Sequence, residues 1–419
     1  MRQRATLTDY IEWRGDLGYN QVPFNDVDNL VLACVSYLDF RGIVPDEADG
    51  GHVPLSDACR TLREMAGDDI DPYVRSLAKF GPDFIDALIA SRRFGEATLS
   101  CHEWVFDEES ATQFSAICID LPSGETYVSF RGTDSTLAGW HEDMDLSFRI
   151  TAAQELARRY LGRALGRYPG GRLLVGGHSK GGALAEYAAA RRDDDHGRII
   201  RVYSNDGPGL DPRIDPIGIR EALGDRLRLI VPEYSIVGML YAEDDDPRRI
   251  FVKSTASRAS QHDPTTWLVA PTGFCEADGI TPECAAVREG IARWADGIPF
   301  DERERIVREV FEALGAGGAK TVFEVTATAN GMQQVAKALD GCDDRTKKAA
   351  YDLADSIISS SLSLLSKSMR ERVDRWRQSL GMALGPSAVK LLVAKTPPRD
   401  GETGESDQSD NNGPQGNDG

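Results

Sequence analysis

The run Leu173-Leu174-Val175-Gly176-Gly177-His178-Ser179-Lys180-Gly181-Gly182-Ala183-Leu184-Ala185 joins an apolar stretch to a small-residue helical pattern through a Gly-x-Ser-x-Gly turn. A strand that turns this sharply into a helix holds its central serine in a strained backbone conformation, and the flanking glycines, Gly177 and Gly181, leave room for the turn and for close strand–helix packing. The pattern predicts a nucleophile elbow with the Ser179 hydroxyl at the tip of a sheet. It also places the backbone N–H of Lys180 where a reacting oxyanion would sit. The same glycines superficially suggest a phosphate loop, but their order does not match that motif.

A serine hydroxyl becomes nucleophilic only when a base takes its proton, so the six histidines, His52, His102, His141, His178, His196 and His262, are the candidates. In the order nucleophile, acid, histidine, only His196 and His262 lie downstream of Ser179. His196 falls in the polar turn Arg191-Arg192-Asp193-Asp194-Asp195-His196-Gly197. His262 lies in Ser260-Gln261-His262-Asp263-Pro264-Thr265-Thr266-Trp267, where Pro264 restricts the backbone and Trp267 can anchor the loop. His262 is therefore the expected general base. For the acid, Asp206 ends the apolar run before Gly207-Pro208-Gly209 and is favoured, while Glu233 ends the next run and is the rival. Asp263 has a local reading, as a stabiliser of its own loop. The second oxyanion donor is expected from Phe130-Arg131-Gly132-Thr133, through the N–H and hydroxyl of Thr133. Trp140, Asp143 and Asp145 follow, either as a wall beneath that loop or as helix caps.

These residues need a scaffold, and the hydrophobic periodicity supplies one. Apolar residues recur at helical spacing between 25 and 93 and set an N-terminal helical part, over 1–95, packed on the core. Strands are expected at 114–131 as a pair, where the sheet would begin, and then at 172–176, 199–204, 227–231 and 250–252, with helices at 152–168 and 181–191 between them. That alternation predicts an α/β core over 96–280 with a mostly parallel sheet. A C-terminal helical region follows over 281–395, with one apolar face at Ile306, Val307, Val310, Phe311 and Leu314 and another across 349–365. The acidic stretch 396–419 reads as a disordered tail.

The chain has 419 residues and a formal charge of −19, which argues against nucleic acid as a partner and against general attraction to anionic lipid. No run is apolar and long enough to span a bilayer and the first residues lack a secretory pattern, so a cytoplasmic protein is the expectation. The seven cysteines are scattered and read as buried free thiols rather than zinc ligands or disulfides. The chemistry of the elbow calls for no metal and no cofactor.

Phe130-Arg131-Gly132-Thr133, the following Trp140 with its acids, and the elbow itself resemble the fungal-type, class 3 lipases, serine esterases of the α/β-hydrolase fold. Asp9-Tyr10-Ile11-Glu12-Trp13-Arg14-Gly15-Asp16, Pro23-Phe24-Asn25-Asp26-Val27-Asp28, Asn205-Asp206-Gly207-Pro208-Gly209, Ser235-Ile236-Val237-Gly238-Met239-Leu240 and Gln261-His262-Asp263-Pro264 are similar to the bacterial Mbeg-like family of lipase-like hydrolases, over approximately 8–269. The resemblance implies an α/β-hydrolase fold with helical additions, Ser179 as nucleophile, His262 as histidine and Thr133 as oxyanion residue. It departs at Ser235, which stands where class 3 lipases place an aspartate, so the acid moves to Asp206 or Glu233 or the triad is incomplete. The expected activity is hydrolysis of carboxylic esters such as acylglycerols, phospholipids or smaller acyl esters, with peripheral lipid contact through 349–365 as a further reading. The alternative is a catalytically inactive hydrolase-fold protein that binds or scaffolds partners.

Overall fold

The computed structural model describes residues 4–347 other than 49, 77, 111, 135, 147, 192–196, 212, 216–217, 240–245, 286–287, 290–298, 317, 319–333, 336 and 339–340. His196, the apolar pattern at 349–365 and the tail at 396–419 lie outside the described residues, as does the side chain of Trp140.

Five helices open the chain: α1 (Leu7–Arg14), α2 (Asp26–Val35), α3 (Leu55–Ala66), α4 (Pro82–Ala90) and α5 (Arg92–Gly95). The start of α2 is set by Asn25, whose side chain accepts hydrogen bonds from the N–H groups of Val27 (2.9 Å) and Asp28 (3.3 Å). Those donors would otherwise be orphaned at the helix end. The helix that follows is buried from Val27 to Val35, because it lies directly on the sheet.

That sheet runs β1 (Val53–Pro54), β2 (Thr98–Asp107), β3 (Thr112–Asp120), β4 (Thr126–Phe130), β5 (Leu173–His178), β6 (Ile199–Asn205), β7 (Leu227–Pro232), β8 (Arg249–Val252) and β9 (Glu276–Ala277), in that spatial order. Pairings from β4 to β8 are parallel and those on either side are antiparallel. Between the strands lie α6 (Leu137–Leu146), α7 (Ala152–Arg167), α8 (Lys180–Ala190) and α9 (Ile219–Leu223), and α10 (Phe300–Gly315) follows the sheet. Strands β4 and β5 are buried on both faces. One face carries the N-terminal helices together with Trp267 and Val269, and the other carries α7 and α8. Helices on both faces of a largely parallel sheet, with a serine at the β5–α8 turn, make this an α/β-hydrolase fold.

The sheet begins earlier than the pattern at 114–131 indicated. Strand β2 shifts register between Ser100 and Glu103, with Cys101 at φ 54°, and the extra residues at this bulge break the two-residue alternation by which a strand is recognised. Five of the cysteines are buried and two, Cys275 and Cys342, are half-buried; all seven are free thiols.

The N-terminal helices are tied to one another by ionic bonding as well as by apolar contact. Arg93, on α5, donates through Nε to Asp28 Oδ1 at 2.7 Å, and both side chains are wholly buried. Its remaining N–H groups reach the carbonyls of Leu17 (3.0 Å), Val22 (2.9 Å) and Pro23 (3.2 Å). Removing one member of such a pair strands the other charge in a dry environment. Arg93→Met is therefore expected to lower unfolding free energy by about 3–5 kcal/mol, as read from urea denaturation, with a smaller loss when Asp28→Leu removes the opposing charge in the same chain.

Candidate active site

The elbow is built from glycines packed against carbonyls. A side chain on Gly181 would overlap the carbonyl oxygen of Phe130, and one on Gly177 would stand 2.5 Å from both that oxygen and the oxygen of Gly181. Strand β4, strand β5 and the first turn of α8 thus approach to a distance that only hydrogen side chains permit. Ser179 turns between them at φ 57°, ψ −130°, a left-handed conformation that a non-glycine residue adopts only under constraint. Its N–H donates to the carbonyl of Asn205 at 2.9 Å, and its carbonyl accepts from Gly182 at 2.9 Å.

The structure brings Ser179, His262 and Asp206 into one line. His262 Nε2 lies 3.0 Å from Ser179 Oγ, and His262 Nδ1 lies 2.6 Å from Asp206 Oδ2. Asp206 is fully buried and sits just past β6 at φ 52°. Burial alone would lower the pKa of His262, but the hydrogen bond and charge of Asp206, with Asp143 and Asp263 adding, raise it above its ordinary value. An imidazole so placed accepts a proton from the hydroxyl and is stabilised once charged.

Ser235 does not leave the acid position empty. It donates its hydroxyl proton to Asp206 Oδ1, and its Oγ accepts from the N–H of Gly238 (2.9 Å), which also donates to Asp206 (3.2 Å). Asp206 follows β6 and Ser235 follows the adjacent strand β7, and the serine hydroxyl holds the carboxylate. Glu233, the rival acid, is not brought to the imidazole. Its N–H and carbonyl join Val252 (3.0 Å) and Thr281 (2.8 Å) in the backbone beyond β7. Asp263 caps its own loop, accepting from the N–H (2.9 Å) and hydroxyl (2.7 Å) of Thr265.

Lys180 and Thr133, the residues expected to donate to an oxyanion, lie at the elbow and just past β4, and their backbone N–H groups have no hydrogen-bond acceptor among the described residues. The hydroxyl of Thr133 is committed elsewhere, contrary to the expectation that it would be a second donor. Its one proton goes to the carboxyl of Asp143 on α6, at 2.6 and 2.5 Å from the two oxygens. Burial pushes that carboxyl up to about 6, against the opposing effects of Lys180 and Thr133. Asp145 pairs instead with Arg149 and His141. The Lys180 side chain is buried and ion-paired with Glu142 at 3.1 Å, and it also donates to the carbonyl of Gln113 at 2.9 Å. It anchors α6 beside the elbow.

Sequence order passed over a second histidine that belongs to the site. His178 is buried, with its Nε2 2.9 Å from the carbonyl of His262 and its Nδ1 2.8 Å from Tyr37 Oη. The carbonyl can only accept, so Nε2 carries the proton and Nδ1 accepts from the tyrosine. Burial, reinforced by the charge of His262, holds the His178 pKa well below the usual imidazole value, so the ring stays neutral. The two rings lie 4.8 Å apart, and Trp267 closes the group by donating Nε1–H to the carbonyl of Gln261 at 2.7 Å. The only signal for His178 was its place beside Ser179. Tyr37, just past the end of α2, carried no signal of a polar role, because only packing brings its hydroxyl to His178.

Comparison with known proteins adds a family. A family model described as Mbeg1-like matches residues 88–312, which reaches beyond β9 into α10 and begins later than the likeness noted over 8–269. The solved structures similar to this chain include the Rhizomucor miehei lipase propeptide complex (18% identity over 60% of this chain and 72% of that one, TM-score 0.32). They also include lipase II from Rhizopus niveus (12% identity, 64% and 87%, TM-score 0.31). A third is the lipase from Rhizopus microsporus var. chinensis (14% identity, 58% and 78%, TM-score 0.29). No curated protein matches the chain.

The geometry makes the role of Asp206 measurable. If the raised pKa of His262 governs turnover, activity falls on acidification through a value above the ordinary imidazole pKa of about 6.5, because only the neutral ring is a base. Asp206→Asn should move that limb to lower pH and reduce turnover by about 10⁴-fold, the loss seen when the matching aspartate is changed in a serine protease, whereas Glu233→Gln should leave both the limb and the rate close to wild type. Rates measured across pH 5–9 with a chromogenic short-chain ester separate the two.

Proposed function

The chain belongs to the Mbeg1-like family, and from that premise we propose that it is a serine hydrolase of carboxylic esters. The observation that carries the proposal is the unbroken line Ser179 Oγ, His262 Nε2, His262 Nδ1, Asp206 Oδ2, with separations of 3.0 and 2.6 Å at its two hydrogen bonds. Ser179 Oγ attacks the ester carbonyl while His262 Nε2 takes its proton. Asp206 stabilises the imidazolium, and the N–H groups of Lys180 and Thr133 receive the negative oxygen. Collapse of the tetrahedral species returns the proton from His262 to the departing alcohol and leaves an acyl group on Ser179. Water, deprotonated by His262, then attacks the acyl carbonyl and releases the acid.

The protein supplies positioning as much as reactivity. His178 and Tyr37 fix the backbone carbonyl of His262, so the imidazole is held from behind while its edge faces the serine. Ser179 is 8% exposed, and the imidazole side chain of His262 is 30% exposed, so the histidine is the more open of the two. Acylglycerols, phospholipids and smaller acyl esters are the substrate classes this chemistry accommodates, which makes a lipid or ester the expected partner. The reading of the chain as an inactive scaffold rested on Ser235, and the hydrogen bond of that serine to Asp206 supports the hydrolase reading instead by giving it a place beside the proposed acid.

A fluorophosphonate probe tests the proposal directly. The wild-type protein should be labelled on Ser179, and Ser179→Ala should abolish both labelling and short-ester hydrolysis while its melting temperature stays within a few degrees of wild type. Labelling of the variant at the wild-type rate would transfer the nucleophile to another residue.

A further inference from the structure

Seven cysteines are spread along the chain, and the proposed ester hydrolysis uses none of them. Two of the seven are brought together by neighbouring strands. Strands β2 and β3 pair Ser100 with Cys118 and then Glu103 with Ala116, so Cys101 and His102 share the space opposite Ile117 in the bulge. Cys101 and Cys118 both belong to the apolar cluster on the sheet face that α7 covers. Cys101 is 5% exposed and Cys118 is fully buried, and each is a free thiol.

The backbone at Cys101 is strained. Among the described residues four that are not glycine take a left-handed φ, Cys101, Ser179, Asp206 and Arg258, and two of these belong to the proposed triad. Such strain persists where the surroundings hold it. At Cys101 the hold comes from Tyr160 of α7, which donates its hydroxyl proton to the Cys101 carbonyl at 2.8 Å. With that proton spent, the tyrosine oxygen can only accept from Cys118 Sγ, 3.4 Å away. Cys118 thus keeps its own proton, with the Tyr160 oxygen and the Cys101 sulfur as acceptors.

The two thiols are not equivalent. The hydrogen bond from Cys118 lowers the pKa of Cys101 to about 7 against the effect of burial, with the Ser100 hydroxyl and the charge of Arg167 adding to it. The same hydrogen bond, with burial, pushes Cys118 the opposite way. Arg163 is ion-paired with Glu47 (2.5 Å) and Glu103, whereas Arg167 meets the His52 ring (3.2 Å) and no carboxylate among the described residues. Its charge is therefore left to a Cys101 thiolate. A cavity of about 10 Å³ is lined by both cysteines together with Glu47, Tyr160, Arg163 and Arg167. Space on that scale admits about one water-sized molecule.

We propose that Cys101 and Cys118 form an oxidation site for hydrogen peroxide, with Cys101 the attacking sulfur and Cys118 the resolving one. The Cys101 thiolate attacks one oxygen of the peroxide, the O–O bond breaks, and the departing hydroxide takes a proton from solvent and leaves as water. Cys101 then carries a sulfenic acid. The Cys118 sulfur attacks the Cys101 sulfur, the S–O bond breaks, and the second hydroxide leaves as water with the Cys118 proton. Two electrons have passed from the thiols to the peroxide, and a disulfide joins β2 to β3 at the bulge, where their ladder is interrupted. A dithiol reductant returns the two electrons and restores both thiols. Hydrogen peroxide suits the cavity by size, whereas glutathione disulfide is too large to reach Cys101 through it.

Full-length wild-type protein is treated with hydrogen peroxide, its remaining thiols are blocked with N-ethylmaleimide, and its peptides are mapped by mass spectrometry without reduction. The Cys101–Cys118 cross-link should form about tenfold faster than oxidation of any other cysteine, and dithiothreitol should remove it. Glutathione disulfide at the same concentration should give the cross-link at less than about a tenth of the peroxide rate. Cys118→Ser should leave a Cys101 sulfenic acid that dimedone captures, and Arg167→Gln should slow the cross-link severalfold. Absence of the cross-link in the wild-type protein, or earlier oxidation of another cysteine, overturns the site. Dimedone capture on Cys118 in Cys101→Ser at the rate seen on Cys101 overturns the assignment of roles, and an unchanged rate in Arg167→Gln overturns the part given to that arginine. An equal rate with glutathione disulfide overturns peroxide as the oxidant. The wild-type map stands whether or not a variant folds, and none of these readouts depends on ester hydrolysis.

Discussion

Strand β4 ends with its Phe130 carbonyl pressed against the first turn of α8, and the contact leaves no space for a side chain on Gly177 or Gly181. That close approach forces the chain through a left-handed turn at Ser179, since the strand must reverse into the helix within one residue. It also fixes the loop after β4, where Thr133 sits, relative to the N–H of Lys180. Ser179 and the backbone N–H groups of Lys180 and Thr133, the proposed nucleophile and oxyanion donors, are therefore positioned by one steric constraint. The backbone strain at Ser179 is sustained because neighbouring groups overdetermine it: Asn205 accepts from the Ser179 N–H through its carbonyl, and its side chain donates to the carbonyl of Gly177 at 2.9 Å. The side chain of Asn205 is held in turn by Asn29 of α2 (2.8 Å), and Asn29 by Tyr127 of β4 (2.7 Å).

The proposed acid shows what a buried carboxylate beside a histidine requires. A carboxylate can approach a histidine from either of two adjacent strand ends, provided that its second oxygen is also satisfied in the dry interior. Here Asp206 comes from the end of β6, and the hydroxyl of Ser235 with the N–H of Gly238 satisfies Oδ1. Gly238 has no side chain because one would run into that same oxygen. What matters to the imidazole is a fixed, hydrogen-bonded carboxylate on Nδ1, and the strand that delivers it is secondary.

Much of this architecture was legible as pattern. The apolar runs located β5 to β8, and the Gly-x-Ser-x-Gly turn located the elbow, because each is encoded within a few consecutive residues. Strand β2 was not legible, since the bulge at Cys101 shifts which residues face the core. Nor could order along the chain choose between Asp206 and Glu233: both end apolar runs, and only the turn after β6 points one of them at His262. The hydroxyl of Thr133 was misassigned for a related reason, because its acceptor, Asp143, lies ten residues on and meets it only when α6 folds back. Tyr37 and His178 had no pattern to betray them. Their meeting depends on long-range packing between the N-terminal helices and the sheet.

That meeting changes how the N-terminal part is to be understood. A helical addition that merely covered apolar surface would contribute area and little else. This one sends Tyr37 to Nδ1 of His178, which fixes the tautomer, so that Nε2–H can hold the carbonyl of His262. It sends Asn29 into the network behind the elbow. The buried Arg93–Asp28 pair locks α5 to α2, the helix that carries Asn29 and ends just before Tyr37. The orientation of the proposed general base thus depends on a chain of hydrogen bonds that begins more than two hundred residues earlier in the sequence, and the helices and the hydrolase sheet form one mechanical unit around Ser179.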